Sequence, residues 1–301
     1  MIFVDLFLAS AVPIFILVAI GFVLRKLIEL EIRTLTRLLF YVIAPVVVFL
    51  EIVDAELSGG DVFDIILFVV IHRVVLLILA LVFFRQNVTD RQRPVLVLGT
   101  IFINGGYYGI PLLLLTVGES ALPIIIVVIL TQTLVLNSAG ILYLSAGQSS
   151  LRESIGRLAS IPLIWAIILG ISFGLLQVVL PQPIRVPLDN IRAGFSAIAL
   201  ITIGAQLAEA RVDSNPGPIS LVTALRLLIS PVWGFALAQL LGLTGIVALV
   251  LVLSTAFPSA INIFILSKEF EADAELASVM AFWTTLLSLL TVPLLFVLLS
   301  G

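Results

Sequence analysis

The chain has 301 residues, 61% of them hydrophobic and 11% charged, with a mean hydropathy of +1.31; soluble domains carry roughly a quarter charged residues. This composition describes an integral membrane protein with little outside the bilayer. A net charge of -3 gives no case for nucleic acid, and the absence of Cys with a single His excludes disulfides, thiolate metal sites and multi-histidine sites, so no cofactor is expected.

Windows of about 20 apolar residues predict an all-α integral membrane fold of ten transmembrane helices near 3–24, 33–53, 62–84, 94–117, 121–145, 159–180, 187–208, 218–241, 244–267 and 276–299. The start, Met1-Ile2-Phe3-Val4-Asp5, lacks a basic leader region, so the first apolar segment is expected to remain as a span. A polar link at 147–158 separates a first half, 1–146, from a second, 159–301. Five spans in each half make the second enter from the opposite side, an inverted repeat. Basic residues gather in odd-numbered connections (Arg25, Lys26 and Arg33; Arg85, Arg91 and Arg93; Arg152 and Arg157), whereas the second connection is acidic. By the positive-inside rule the odd connections are cytoplasmic and both termini lie on the extracytoplasmic side of the cell membrane. Arg185 and Arg192 are exceptions to this bias.

The fourth span contains Asn104-Gly105-Gly106-Tyr107-Tyr108-Gly109-Ile110-Pro111. Gly and Pro weaken a helix interior, and freed backbone groups cannot face lipid, so this helix is expected to break where protein or a cavity receives them. The ninth span repeats the pattern. Val97-Leu98-Gly99-Thr100-Ile101-Phe102 is echoed by Val252-Leu253-Ser254-Thr255-Ala256-Phe257, which runs into Pro258-Ser259-Ala260-Ile261-Asn262. Paired interruptions in two halves point to the binding site of a secondary transporter. Spans four and nine are therefore expected to be broken and to cross.

Other polar residues within spans are candidates by virtue of their cost. Each of three has a charge or proton role as one reading: Arg73 in span three could instead tie down carbonyls of a neighbouring broken helix, Arg226 in span eight could snorkel to the cytoplasmic end, and His72, beside Arg73, could be an interhelical donor. Gln132 and Asn137 in span five, with Asn104 and Asn262 at the breaks, read either as interhelical hydrogen-bonding groups or as cavity-lining ones. Tyr107 and Tyr108 face either substrate or packing. No acidic residue lies near either break, and no paired intramembrane aspartate or Gly-x-Ser-x-Gly elbow suggests an enzyme.

Asn104-x-x-x-x-Gly109-Ile110-Pro111-Leu112-Leu113 resembles the fourth span of the auxin efflux carrier family. Ala256-Phe257-Pro258 followed by Phe264-Ile265-Leu266-Ser267-Lys268-Glu269-Phe270 resembles its ninth, and Leu38-Leu39-Phe40 leading to Ala44-Pro45-Val46-Val47-Val48-Phe49 its second. The resemblance implies a dimerising scaffold from spans 1, 2, 6 and 7 and a mobile transport domain from spans 3–5 and 8–10, with substrate beside the crossing. It implies site positions at Asn104, Pro258 and Gln132; Gly105, Tyr107, Asn137, Ser259 and Asn262 join them as neighbours or polar groups of the same spans. Ile103 stands where plant carriers have proline, and Val48 where they present a serine. The expected function is a secondary carrier of a small organic anion (a carboxylate), elevator-like, homodimeric and not sodium-coupled. The alternatives are a sodium-coupled organic anion symporter of the bile-acid-carrier type, or a membrane substrate sensor that does not translocate.

Overall fold

The computed structural model describes residues 2–28, 30–54, 59–86, 88–144, 156, 160–209 and 216–300. The link expected at 147–158 therefore lies almost wholly outside the described residues. The described residues are helical throughout, apart from short connections and one antiparallel bridge between Ile103 and Ser259.

In chain order the helices are α1 (Ile2–Ile28), α2 (Ile32–Val53), α3 (Gly59–Phe83), α4 (Arg93–Ile101), α5 (Ile110–Thr116), α6 (Glu119–Leu144), α7 (Pro162–Leu175), α8 (Gln182–Glu209), α9 (Pro216–Leu240), α10 (Gly245–Thr255), α11 (Asn262–Glu269) and α12 (Ala274–Ser300). Among them α1, α2, α3, α6, α8, α9 and α12 are long and apolar enough to cross a bilayer. Residues 93–116 and 245–269 each form a helix, an interruption and a second helix, at the two places where Gly, Pro and Asn interrupt the apolar runs.

Turns of π-helix occur at Leu39–Ile43, Gly105–Gly109 and Leu225–Ile229, each two residues before a proline: Pro45, Pro111 and Pro231. Proline has no N–H to give the carbonyl four residues back, and a widened turn re-registers the ladder around it.

The closest packing is between α1 and α8. A Cβ on Gly204 would lie 1.9 Å from the Val18 carbonyl oxygen, and one on Gly21 1.9 Å from the Ile201 carbonyl oxygen. Both positions must be glycine for the backbones to touch, the small-residue contact that replaces the hydrophobic effect within a bilayer. Helix α7 lies on α2 in a related way, with Gly170 against Ile52 and Phe49. At the ends of α2 and α8, Arg185 grips Asp54 through two bonds (2.9 and 2.7 Å) and also meets Asp189, while Arg192 lies 3.2 Å from Glu51. The two arginines that broke the loop-charge bias are thus paired with carboxylates.

Candidate substrate site at the crossing

The two interruptions meet. Helix α4 stops at Ile101 because Phe102 turns extended (φ -96°, ψ 134°). Asn104 then donates its backbone N–H to the Pro258 carbonyl (2.8 Å), and Ala260 donates to the Phe102 carbonyl (2.9 Å). This pairing leaves the N–H and C=O of Ile103 pointing the other way. The Gln132 side chain on α6 takes both: its Oε1 accepts from the Ile103 N–H (3.2 Å) and its Nε2 donates to the Ile103 carbonyl (3.0 Å). A primary amide has the donor and acceptor of a peptide group, so Gln132 stands in for a third strand. Helix α12 serves the other break. Thr284 Oγ1 accepts from the Ser259 N–H (3.2 Å), and Ser259 Oγ donates to the Gly99 carbonyl (2.8 Å).

The carbonyl ends of α4 and α10 converge on Arg226. Its Nε donates to Phe257 (3.0 Å), Nη1 to Thr100 (2.7 Å) and Ile101 (3.4 Å), and Nη2 to Thr255 (3.0 Å). The residue is fully buried. Ser230 Oγ adds a bond to Thr255 (2.6 Å), and His72 Nε2 lies 3.1 Å from the Ser230 carbonyl. A carbonyl only accepts, so His72 carries its proton on Nε2, with its ring stacked on Phe68. Arg73 is also buried, but its Nε and Nη1 find no hydrogen-bond partner among the described residues.

The helical ends of opposite polarity open onto a cavity. After Asn104, the turn Gly105–Gly109 leads into α5, and after Ile261 the chain enters α11. The first N–H groups of a helix have no partner within it and together carry partial positive charge. Gly105, Gly106 and Tyr107 at one start, and Ala260, Ile261 and Asn262 at the other, line one cavity of about 320 Å³. Gln132 and Asn137 from α6, and Phe40, Ala44 and Val48 from α2, complete its walls. Asn137 bonds its own helix at the Thr133 carbonyl (2.9 Å). Gly105 is required here by space, since a Cβ would lie 2.8 Å from Ile129 Cγ1.

The family model described as "Membrane transport protein" matches residues 6–296. The chain belongs to that family. It is therefore a multi-pass membrane transporter and not an enzyme, and the family resemblance read from the two breaks is borne out. A Methanothermobacter thermautotrophicus protein named an uncharacterized transporter is 28% identical over 295 residues, covering 95% of this chain and 96% of the relative. A Rhizobium meliloti protein provisionally named a malonate transporter is 28% identical over 207 residues, covering 66% of this chain and 65% of its own. A second archaeal transporter, from Methanocaldococcus jannaschii, is 24% identical over 93% of this chain and 95% of its own.

The residues singled out from sequence fall into two groups. Asn104, Gly105, Tyr107, Gln132, Asn137 and Asn262 lie on the cavity wall. Pro258 and Ser259 lie behind it, their backbone and hydroxyl groups committed to the crossing. His72, Arg73 and Arg226 are not on the wall either. Arg226 does not snorkel but binds carbonyls of both breaks, the role read for Arg73, and His72 is a donor to a neighbouring helix rather than a cavity group. Thr284 and Ser230 were not anticipated. A hydroxyl within an apolar run was their only signal, and many such hydroxyls bond their own helix, as Thr131 does at the Val127 carbonyl.

Proposed function

We propose that this transporter carries a small organic anion, held in the cavity beside the crossing, by an elevator-like movement. The observation that carries the reading is the pairing of polarities there. Two helix starts face the cavity, whereas the two opposing carbonyl ends face away from it onto Arg226. Helix starts favour anions, and the competing pull of the carbonyl ends is neutralised. Asn104 and Asn262 make no side-chain hydrogen bonds among the described residues, so their amides are available to a carboxylate. The volume suits a ligand of a few carbon atoms. Malonate in the name of the Rhizobium relative is consistent with that class.

The mechanism uses ten spans in two inverted repeats, with residues 93–116 and 245–269 as the broken fourth and ninth. Packing supports this: α1 lies on α8 and α7 on α2, which are span pairs one–seven and six–two, interchanged by the repeat. The fifth and tenth spans likewise each send one side chain, Gln132 or Thr284, to the backbone of a break. Spans one, two, six and seven form the dimeric scaffold, and the others move. The protein resides in the cell membrane with both termini outside the cytoplasm. Sodium is not required, because the cavity's acidic lining residue, Glu269, is seven residues from Asn262, about 10 Å along the helix. A monoanion then moves net charge, and 100 mV supplies about 2.3 kcal/mol, enough for a roughly fifty-fold gradient.

The test is a melting-temperature screen of purified protein against short mono- and dicarboxylates, malonate included, with choline replacing sodium. Acids that bind raise the melting temperature of the wild type and raise that of Asn104→Ala less. If no carboxylate shifts the wild type, the anion assignment fails.

A further inference from the structure

Arg226 sits where the carbonyl ends of two helices meet. We infer that the carbonyls of Thr100, Ile101, Thr255 and Phe257 form a monovalent-cation cage at the crossing, which this chain occupies with its own tethered guanidinium. The oxygens belong to uncharged peptide groups at the ends of α4 and α10 and in the break that follows, and they line the edges of one buried guanidinium, each 2.7–3.4 Å from one of its three nitrogens. Each helix C-terminus carries about half a negative charge, so two of them sum to about one, which a single monovalent cation balances. Unwound carbonyls and half-helix C-termini are the groups with which broken-helix carriers hold a coupling ion.

A planar guanidinium with five donors meets four such acceptors where a bare ion would need them arranged around a sphere. Because the group is covalently part of α9, it cannot dissociate to either side, and no ion is exchanged through this position during a transport cycle. The neighbouring Ser230 hydroxyl, also on the Thr255 carbonyl, stiffens the cage without adding charge. The consequence for coupling rests on the carrier reading above; the cage itself does not, since it is read out without substrate.

The experiment removes the tether. Arg226→Ala leaves the four oxygens around a vacated volume, and its melting temperature is followed against guanidinium, sodium, potassium and choline chlorides at constant ionic strength. Guanidinium or a small alkali ion should raise it saturably, by about 3–6 °C at about ten times the dissociation constant. Choline should do nothing, and the wild type should respond to none of them. A monodisperse Arg226→Ala protein that no cation stabilises beyond the wild type overturns the inference. If Arg226→Ala does not survive purification, Arg226→Lys against Arg226→Met decides: the lysine variant should remain monodisperse and the methionine variant should not. Equal behaviour of those two shows that shape rather than charge matters and overturns it as well. Malonate counterflow is measured separately, so loss of the anion reading leaves the cage result standing.

Discussion

The contact of α1 with α8 and the crossing of the two breaks bring backbone against backbone in opposite ways. Between α1 and α8 the touching backbones lie within continuous helix, so contact needs only the removal of side chains, and Gly21 and Gly204 supply it. At the crossing the helical ladder is interrupted and each freed group must find a partner in an apolar setting. Gln132, Thr284, Arg226 and Ser230 provide those partners. The first contact is held by shape and should tolerate no added atom. The second is held by a network that tolerates a change of shape but not the loss of a donor or acceptor.

The largest effect should come from the shape-held contact. Gly204→Ala puts a methyl group 1.9 Å from a backbone oxygen, which a rigid helix cannot yield, so a loss at or above about 3 kcal/mol is expected. Size-exclusion profiles before and after mild heating read it directly, and a wild-type profile for Gly204→Ala would mean that the two helices are not locked together.

Next is the network. Gln132→Ala strands the N–H and C=O of Ile103, at about 1–3 kcal/mol for each orphaned group. Gln132→Glu should be no better, because an ionised carboxylate has no hydrogen to give the Ile103 carbonyl. Both variants should melt well below the wild type with or without ligand. Wild-type melting with weakened binding would instead make Gln132 a ligand residue only.

Asn104→Ala should show the reverse pattern. Its side chain bonds nothing among the described residues, so the melting temperature without ligand should stay near that of the wild type, and affinity should fall by about 1–3 kcal/mol. Titration of a carboxylate found in the screen measures both.

These contrasts follow what the sequence could reveal. The breaks were legible because Gly, Pro and Asn contradict a spanning helix locally, within eight residues in one case, and because the second half repeats the contradiction. Gln132 and Arg226 were legible as costly residues but not in their roles, because their partners are backbone groups 29 and 126 positions away. Gly21 and Gly204 were illegible: a lone glycine in an apolar run looks the same whether a neighbouring helix lies against it or lipid does.

The smallest effect is expected at His72. His72→Gln can lose one hydrogen bond to Ser230, about 1 kcal/mol, and since the ring is off the cavity wall, the pH profile of transport should not change. A pH dependence that disappears in His72→Gln would give this residue a proton-carrying role that its position between α3 and α9 does not suggest.

Passage of an anion through the cavity beside the breaks without a co-ion underlies these expectations. It is tested most directly by net malonate flux in liposomes at clamped potential, with sodium absent and no pH gradient. Flux should follow the potential in the wild type and be strongly reduced in Asn104→Ala at the same substrate concentration. Flux that needs sodium at every potential, or that Asn104→Ala leaves unchanged, would contradict it.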